Sequence, residues 1–284
     1  MTSIFITGGT GYLGRVLVRQ ASRSGHRVAA SYYTQAPPSD EALWLPLDVR
    51  DSLAVEDLLD RLRPEVVIHT AYRQGGPDLL PVTTTGAGNV ARAAAAIGAR
   101  LIHLSSDVIF DGEREGAYTE DDPPAPISAY GAAKARAETL VTAAHPGAVV
   151  VRTSLIYGFA PIDRISQFAL DVATGRSTER LFTDEIRCPI YVEDLAAALL
   201  ELCALPYYGP LHIAGAEALS RYAFGVLIAR AWNVDPSGIQ GALSADSPVR
   251  RPRNCALDSS RARGLLRTRL RGVSDVLRET GRLT

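Results

Sequence analysis

The stretch Ser3–Gly14, SIFITGGTGYLG, opens with five strand-forming residues and continues with four glycines in seven positions. It contains Gly9-x-Gly11-x-x-Gly14, and the residues that follow predict a helix from Tyr12. Such glycines allow a tight turn and a close approach of backbone to a pyrophosphate, while the helix N-terminus supplies N–H donors. The loop therefore predicts a dinucleotide-binding site, with a purely structural turn as the alternative.

Short apolar runs alternate with longer Ala- and Leu-rich helical patterns through most of the chain. We predict strands at 3–7, 27–32, 43–47, 65–70, 100–105, 148–152 and 211–214, and helices at 12–22, 52–62, 85–97, 130–144 and 192–203. This alternation is typical of βαβ units. The predicted fold class is therefore α/β, a Rossmann-type doubly wound parallel sheet with a smaller α/β substrate lobe.

The rhythm of strands and helices loosens after Gly158, where Arg, Pro and loop signals become frequent. We therefore assign 1–158 plus 189–215 to a dinucleotide-binding core. Residues 159–188 plus 216–284 form the predicted substrate-binding lobe.

Composition excludes several classes of protein. Hydrophobic residues make up 46% and charged residues 21% of the 284 positions, which excludes a disordered chain. A net charge of −1 argues against nucleic-acid and membrane partners, and no run of 18 apolar residues occurs. The three cysteines, Cys188, Cys203 and Cys255, suit neither a zinc site nor a disulfide framework, so we expect a cytoplasmic protein.

The choice of dinucleotide depends on the end of the second strand. An NAD site usually has Asp or Glu there, but the segment 31–35 has none and the first acid afterwards is Asp40. NADP is therefore the preferred cofactor, with NAD as the alternative, and Arg15 and Arg27 are candidates to reach a 2′-phosphate. Asp48 would hold the adenine amino group, or else cap a helix or lie on the surface.

A second pattern consists of Ser106, at the end of a predicted strand, and Tyr130 and Lys134, four residues apart on a predicted helix. Residues with this spacing share one helix face. A tyrosine has a pKa near 10, and an adjacent ammonium favours its ionised form. The serine hydroxyl can bond a carbonyl oxygen, the phenol can donate a proton, and a nicotinamide can supply hydride.

Lys134 is also the single lysine among 30 basic residues. This suggests that the position needs a compact ammonium rather than a planar guanidinium. The alternative is an exposed helix lysine beside a packed tyrosine. The predicted cofactor contacts are Gly8, Thr10, Gly11, Tyr12, Leu13, Gly14, Tyr32, Asp48, Val49, Ala71, Tyr130 and Lys134.

Four further segments carry a family resemblance: LSSDVIFDG at 104–112, YGAAK at 130–134, RTSLIYG at 152–158 and RPRNCALD at 251–258. Together with the glycine loop they resemble the extended short-chain dehydrogenases/reductases, and more narrowly the dTDP-4-dehydrorhamnose reductase family, over the whole chain. The resemblance implies NAD(P)H-dependent reduction of a keto group on a nucleotide-linked 6-deoxysugar.

The same resemblance implies roles for single residues. Ser106, Tyr130 and Lys134 would be catalytic, with Lys134 also binding the nicotinamide ribose. Asp107, Leu155 and Arg251 would contact the substrate, which we expect to be a small molecule, a nucleotide sugar. We also expect a homodimer.

The sequence departs from the family pattern at three places. Leu155 replaces a tryptophan that shapes the sugar pocket, Val16 replaces a glutamate linked with magnesium, and Thr83 replaces an asparagine. We therefore expect no metal, and a different keto-sugar or a non-sugar carbonyl stays open as the substrate. A related sugar 4,6-dehydratase is disfavoured because Val108 stands where its second acid is needed.

A non-enzymatic role is the other alternative. The segments SPV at 247–249 and RPRN at 251–254 also resemble the regulatory β subunit of methionine adenosyltransferase, which keeps the same catalytic pattern. The sequence ends at Thr284 without the longer aromatic tail of that subunit. We therefore expect a reductase rather than an NADP-binding regulatory subunit.

Overall fold

A computed structural model describes residues 1–34, 37 and 41–283, and its centre is a seven-stranded sheet. The strands are β1 Ser3–Thr7, β2 Arg27–Tyr32, β3 Leu43–Pro46, β4 Val66–His69, β5 Arg100–Leu104, β6 Val149–Thr153 and β7 Gly209–Ile213. Their order is β7-β6-β5-β4-β1-β2-β3, and the pairs that join β1 to β6 are parallel. This confirms the predicted Rossmann-type fold.

Helices lie between and after these strands, and the five predicted helices begin and end within one residue of their predicted positions, whereas four further helices were not predicted. The helices are α1 Tyr12–Arg23, α2 Ser52–Leu62, α3 Gly86–Ala96, α4 Ala129–Ala144, α5 Arg164–Ala173, α6 Val192–Leu202, α7 Arg221–Ala231, α8 Ser260–Leu265 and α9 Val273–Glu279. Within the described ranges, none of them is long and apolar enough to cross a membrane.

Local capping explains where α2 lies. The side chain of Asp51 accepts a hydrogen bond from the Ala54 N–H at 3.0 Å, which satisfies a donor in the first turn. The chain leaves the helix through Arg63, whose φ of 44° is left-handed. Asp51 therefore caps α2, and the alternative in which Asp48 is a helix cap is wrong.

The start of α3 differs from the prediction of Thr85. A π-helical turn, Pro81–Thr85, precedes the helix. The Thr83 hydroxyl accepts a hydrogen bond from the Arg73 backbone N–H at 2.9 Å and donates one to the Arg73 carbonyl at 2.8 Å. This pair of bonds holds the loop after β4 against the turn.

Apolar side chains fill the space between the sheet and the helices on one face. Phe5 and Val67 from the sheet are fully buried against Val55 of α2, Val90 of α3 and Val141 of α4. Burial of each large apolar side chain stabilises the fold by about 1.5–3 kcal/mol. This core holds α4 firmly on the sheet.

The chain divides into two compact units. The first unit comprises Met1–Ser106, Ala129–Arg152 and Ala196–Leu211, and the second comprises Asp107–Ser128, Thr153–Leu195 and His212–Thr284. Phe224 and Ile228 of α7 pack with Val276 of α9 in the core of the second unit.

The sequence-based boundary placed 107–128 in the dinucleotide-binding core, whereas the structure groups this segment with the second unit. Tyr118 shows the reason, because its N–H donates to Ala256 and its carbonyl accepts from Asp258, both at 2.8 Å. These bonds join the segment to residues that lie 138 and 140 positions later in the sequence. Sequence periodicity does not reveal such pairing.

A buried ion pair within the first unit joins α4 to β6. Arg152 donates to Glu138 at 2.9 Å, and the two side chains are only 6% and 9% exposed. By contrast, Arg61 and Asp57 form an ion pair on α2 with side chains that are 67% and 63% exposed. The two pairs differ in burial and thus offer a direct comparison.

We expect Glu138→Ala to lower the free energy of unfolding by about 3–5 kcal/mol, because it leaves the Arg152 guanidinium buried without its carboxylate. The matched change Asp57→Ala should cost about 0–1 kcal/mol, since that pair is solvated. Urea unfolding of the full chain measures both. Equal, small losses in the two variants would contradict the assignment of a buried pair.

Candidate active site

The glycine loop has the geometry that a close backbone approach requires. Gly8 has a φ of +67°, which favours glycine, and the Gly11 N–H donates to its carbonyl at 2.9 Å. A Cβ at Gly14 would lie 2.2 Å from the Gly8 carbonyl oxygen. Any side chain at Gly14 would therefore push α1 away from the loop.

A cavity of about 250 Å³ opens beside this loop, in the first unit, at the carboxyl ends of β1, β2 and β4. The sheet order reverses between β1 and β4, which is where ligands bind in doubly wound folds. The predicted cofactor residues that line it are Gly8, Thr10, Gly11, Tyr32, Asp48, Val49 and Ala71. A Cβ at Gly8 would lie 3.0 Å from the Ala71 backbone, so the loop keeps this conformation only with glycine there. The cavity beside the glycine loop fits a dinucleotide, which binds at such a switch point.

The other predicted loop residues have different positions. Leu13 is 6% exposed and packs in the core, Gly14 permits the close approach of α1, and Tyr12 begins that helix. None of these three is among the described residues that line the cavity. Their binding roles stay predictions.

Tyr130 and Lys134 meet at Tyr72, a cavity residue that the sequence analysis did not select. The Tyr72 and Tyr130 ring centroids are 5.9 Å apart, and the Lys134 ammonium lies 5.2 Å from the Tyr72 centroid. Both side chains of α4 therefore face the same way, as their spacing predicts. No sequence signal marks Tyr72, beyond its position shortly after β4.

The Lys134 ammonium is anchored at the end of β5. It donates to the Leu104 carbonyl at 2.8 Å, and the residue is only 3% exposed. Ser106 follows two residues later and is partly exposed. The carbonyl that anchors Lys134 and the residue Ser106 thus lie at the same strand end, while a contact of Ser106 with Tyr130 stays a prediction.

Burial shifts the pKa values of the titratable side chains around Lys134. It lowers the pKa of Lys134 to about 8, an effect that the Glu138 carboxylate partly opposes. The stacked imidazoles of His69 and His103, with centroids 5.3 Å apart, are fully buried. Burial and the Lys134 charge lower the pKa of His69 to about 3 and also lower that of His103, so both rings are neutral at pH 7.

At the other end of the cavity, Arg50 is a second residue that the sequence analysis missed. Its guanidinium contacts Tyr33, Asp48 and Asp78, all of which line the cavity. The Arg50 hydrogen bonds lower the pKa of Asp48, so this carboxylate is ionised at pH 7.

The two arginines proposed from the sequence for a 2′-phosphate lie differently. Arg27 begins β2 and pairs with Ser3, at the strand end opposite to the cavity, so it is the wrong residue for this role. Arg15 donates from Nε to the Thr10 carbonyl at 2.9 Å and stabilises the loop itself. Asp40 lies outside the described residues.

The three predicted substrate residues belong to the second unit. Asp107 is buried and accepts a bond from the Ser154 hydroxyl at 2.7 Å, with Arg187 Nε at 3.7 Å. Leu155 is partly exposed. Arg251 is exposed over the Phe182 ring, with 5.2 Å to the centroid.

One more cation of the second unit, Arg221, begins α7 and was not selected from sequence. Burial lowers its pKa, while the nearby carboxylate of Glu185 opposes this effect. Glu185 also lies 4.0 Å from Arg251. Arg187 also donates to Glu185 at 3.1 Å and lies 3.7 Å from Asp107. Three guanidinium groups, those of Arg187, Arg221 and Arg251, therefore lie near two carboxylates, those of Glu185 and Asp107, which leaves a net positive charge there.

Residues 1–280 match the sequence model of the family described as the RmlD substrate binding domain. The chain belongs to this family. It is therefore an NAD(P)-dependent oxidoreductase of the extended short-chain dehydrogenase/reductase type, and its cofactor is NADP or NAD.

Individual relatives show how widely this fold is used. The probable low-salt glycan biosynthesis reductase Agl14 of Haloferax volcanii is 33% identical over 275 residues, covering 92% of this chain and 91% of that protein. Methionine adenosyltransferase 2 subunit beta of Rattus norvegicus is 32% identical over 278 residues, covering 91% and 80%. The crystal structure of dTDP-4-dehydrorhamnose reductase from Bacillus anthracis in complex with NADP has a TM-score of 0.83 at 25% identity, covering 98% of this chain and 97% of that one.

Because the chain has one lysine, its ammonium can be observed alone. We expect the single side-chain resonance of protein labelled with ¹³Cε-lysine to titrate with a midpoint of about 8 rather than 10.5. The unfolded chain then binds more protons between these two values, so the contribution of Lys134 to the free energy of unfolding rises with pH across that window. Loss of the resonance in Lys134→Arg confirms the assignment, and a midpoint above 10 would show that the ammonium is solvated.

Proposed function

We propose that this protein uses NADPH to reduce a keto group on a nucleotide-activated 6-deoxysugar. The observation that carries the proposal is the convergence of Tyr130 and Lys134 on Tyr72, beside the cavity at the glycine loop. In the proposal, Tyr130 is the proton donor and Lys134 the buried cation, both near the cavity that takes the dinucleotide.

The chain's own residues supply the groups that a carbonyl reduction needs. A bound nicotinamide cofactor supplies the hydride. In the proposal, the Ser106 hydroxyl donates a hydrogen bond to the substrate's carbonyl oxygen, and Tyr130 donates the proton that completes the alcohol. The Lys134 ammonium stabilises the phenolate left on Tyr130, because an opposite charge favours the ionised form.

The pKa of Lys134 suits this task at neutral pH. With a value of about 8, the side chain is mostly protonated at pH 7 and keeps its charge despite burial. The bond to the Leu104 carbonyl uses one of its three N–H donors, which leaves others for the nicotinamide ribose. An arginine fork would not fit the same contact, since its donors are fixed in a plane.

The nucleotide sugar is the finer part of the proposal. A diphosphate requires cations, and Arg251 and Arg221 of the second unit supply them near Glu185. Leu155 in place of a tryptophan makes the sugar pocket different from that of the rhamnose enzymes, and Asp107 would contribute through its contact with Ser154. Similarity to a glycan biosynthesis reductase and to a dTDP-4-dehydrorhamnose reductase supports this substrate class.

A regulatory, non-catalytic role is the second candidate, because methionine adenosyltransferase 2 subunit beta is similar over 91% of the chain. The catalytic residues do not separate the two roles, but a substrate does. We expect the purified protein to oxidise NADPH, followed at 340 nm, when dTDP-4-keto-6-deoxysugars are added. No oxidation with any of several keto-sugars, together with tight binding to a methionine adenosyltransferase catalytic subunit, would establish the regulatory role instead.

Two variants test the catalytic assignments. We expect Tyr130→Phe to lower kcat by about 10²–10⁴-fold, because it removes the proton donor, while NADPH affinity stays nearly unchanged. Lys134→Arg should lose most activity with the fold intact, since a planar guanidinium replaces the compact ammonium. Single-turnover kinetics and circular dichroism measure these effects, with Arg61→Gln on the exposed face of α2 as the control. Full turnover in either variant would remove that residue from the mechanism.

A further inference from the structure

Arg50 is held by three side chains at the open end of the cavity. Its Nε and Nη2 donate to the two carboxylate oxygens of Asp48 at 2.7–2.9 Å. Nη1 donates to Asp78 at 2.8 Å, and Nη2 also donates to the Tyr33 hydroxyl at 2.7 Å. The guanidinium is therefore fixed in position before any ligand binds.

The contact with Tyr33 determines where this guanidinium lies. Tyr33 directly follows β2, and the end of that strand normally meets the adenosine ribose in a Rossmann fold. NAD enzymes usually have an acidic residue directly after this strand, whereas the described residues there are Tyr33 and Thr34. Arg50 reaches this place from the loop after β3, so a cation stands where the ribose 2′ position is expected.

The two carboxylate partners are not equivalent. Asp48 bonds Arg50 through both oxygens and also accepts from the Arg50 backbone N–H at 3.0 Å, which makes it part of the loop. Asp78 makes a single bond to Nη1, and its side chain is 46% exposed against 31% for Asp48. Asp78 is therefore the partner that an incoming anion can replace at low cost.

We propose that Arg50 binds the 2′-phosphate of NADPH through Nη1, and that Asp78 competes with the phosphate for this donor. Arg50 thus sets the preference for NADPH over NADH, and Asp78 weakens it. The proposal rests on the cofactor preference given under the proposed function, but not on the identity of the substrate.

The same cavity includes a second cation, Arg73, on the loop after β4. Its described contacts with Thr83 run through its backbone. Arg50 is the better candidate because its guanidinium is already oriented by Tyr33 and Asp48, which reduces the entropy lost on binding. Arg73 provides the comparison that distinguishes a specific contact from general positive charge.

The test measures binding of NADPH and NADH to the full-length protein by calorimetry at pH 7. We expect Arg50→Gln to raise the Kd of NADPH by about 10–100-fold, because a charge-assisted hydrogen bond to the phosphate is lost. The Kd of NADH should rise by no more than about threefold. Asp78→Asn should lower the Kd of NADPH by about 3–10-fold, because the competing carboxylate is removed, and should change the Kd of NADH by no more than about twofold. The exposed pair on α2 supplies the matched controls Arg61→Gln and Asp57→Asn, which should change neither affinity.

Several outcomes would overturn the proposal. Equal weakening of both cofactors by Arg50→Gln would show that Arg50 only supports the loop, and a loss of NADPH preference in Arg73→Gln alone would move the contact there. Unchanged or weaker NADPH binding in Asp78→Asn would show that Asp78 does not compete with the 2′-phosphate for Arg50. These measurements concern cofactor binding and not turnover, so they stay interpretable even if the protein does not reduce a sugar. If Arg50→Gln does not fold, the change in NADPH affinity of Asp78→Asn still tests the proposal.

Discussion

The hydrogen bond from the Lys134 ammonium to the Leu104 carbonyl is the contact on which the active site depends. It joins the first turns of α4 to the carboxyl end of β5, and it compensates part of the cost of burying a charge. Because a helix has fixed geometry, anchoring Lys134 also positions Tyr130, one turn earlier. The ammonium then lies over the Tyr72 ring, a favourable place for a desolvated cation.

The glycine loop imposes a complementary constraint at the other side of the same sheet edge. Parallel strands have their carboxyl ends at the same edge of the sheet, so this arrangement alone brings together the loops after β1, β2, β3 and β4. The missing side chain at Gly14 lets α1 approach the loop, and the approach aims its N-terminus at the cavity. The first unit therefore holds both the cavity beside the glycine loop and the anchored Lys134.

The predicted substrate residues belong to the second unit of the chain. The proteins similar to this chain include a reductase and a subunit of a methionine adenosyltransferase, so the fold of the first unit does not name the substrate. The residues that differ, such as Leu155, and the cations Arg221 and Arg251 belong to the second unit. Under the proposed function, these side chains of the second unit, rather than Tyr130 and Lys134, would determine which substrate is reduced.

The sequence by itself determined the fold class, the glycine loop and the pairing of Tyr130 with Lys134, because these follow from local periodicity and short fixed spacings. It also indicated that a lone lysine among arginines has a special environment, which the buried ammonium at Leu104 explains. Tertiary structure alone decided the partners that lie far apart in sequence. Tyr72 meets Lys134, and Arg50 meets Tyr33 and Asp78, because loops from different strands converge at one sheet edge. Such contacts leave no periodic pattern, since Tyr72, Arg50, Tyr33 and Asp78 all lie in irregular segments that only the sheet order brings together.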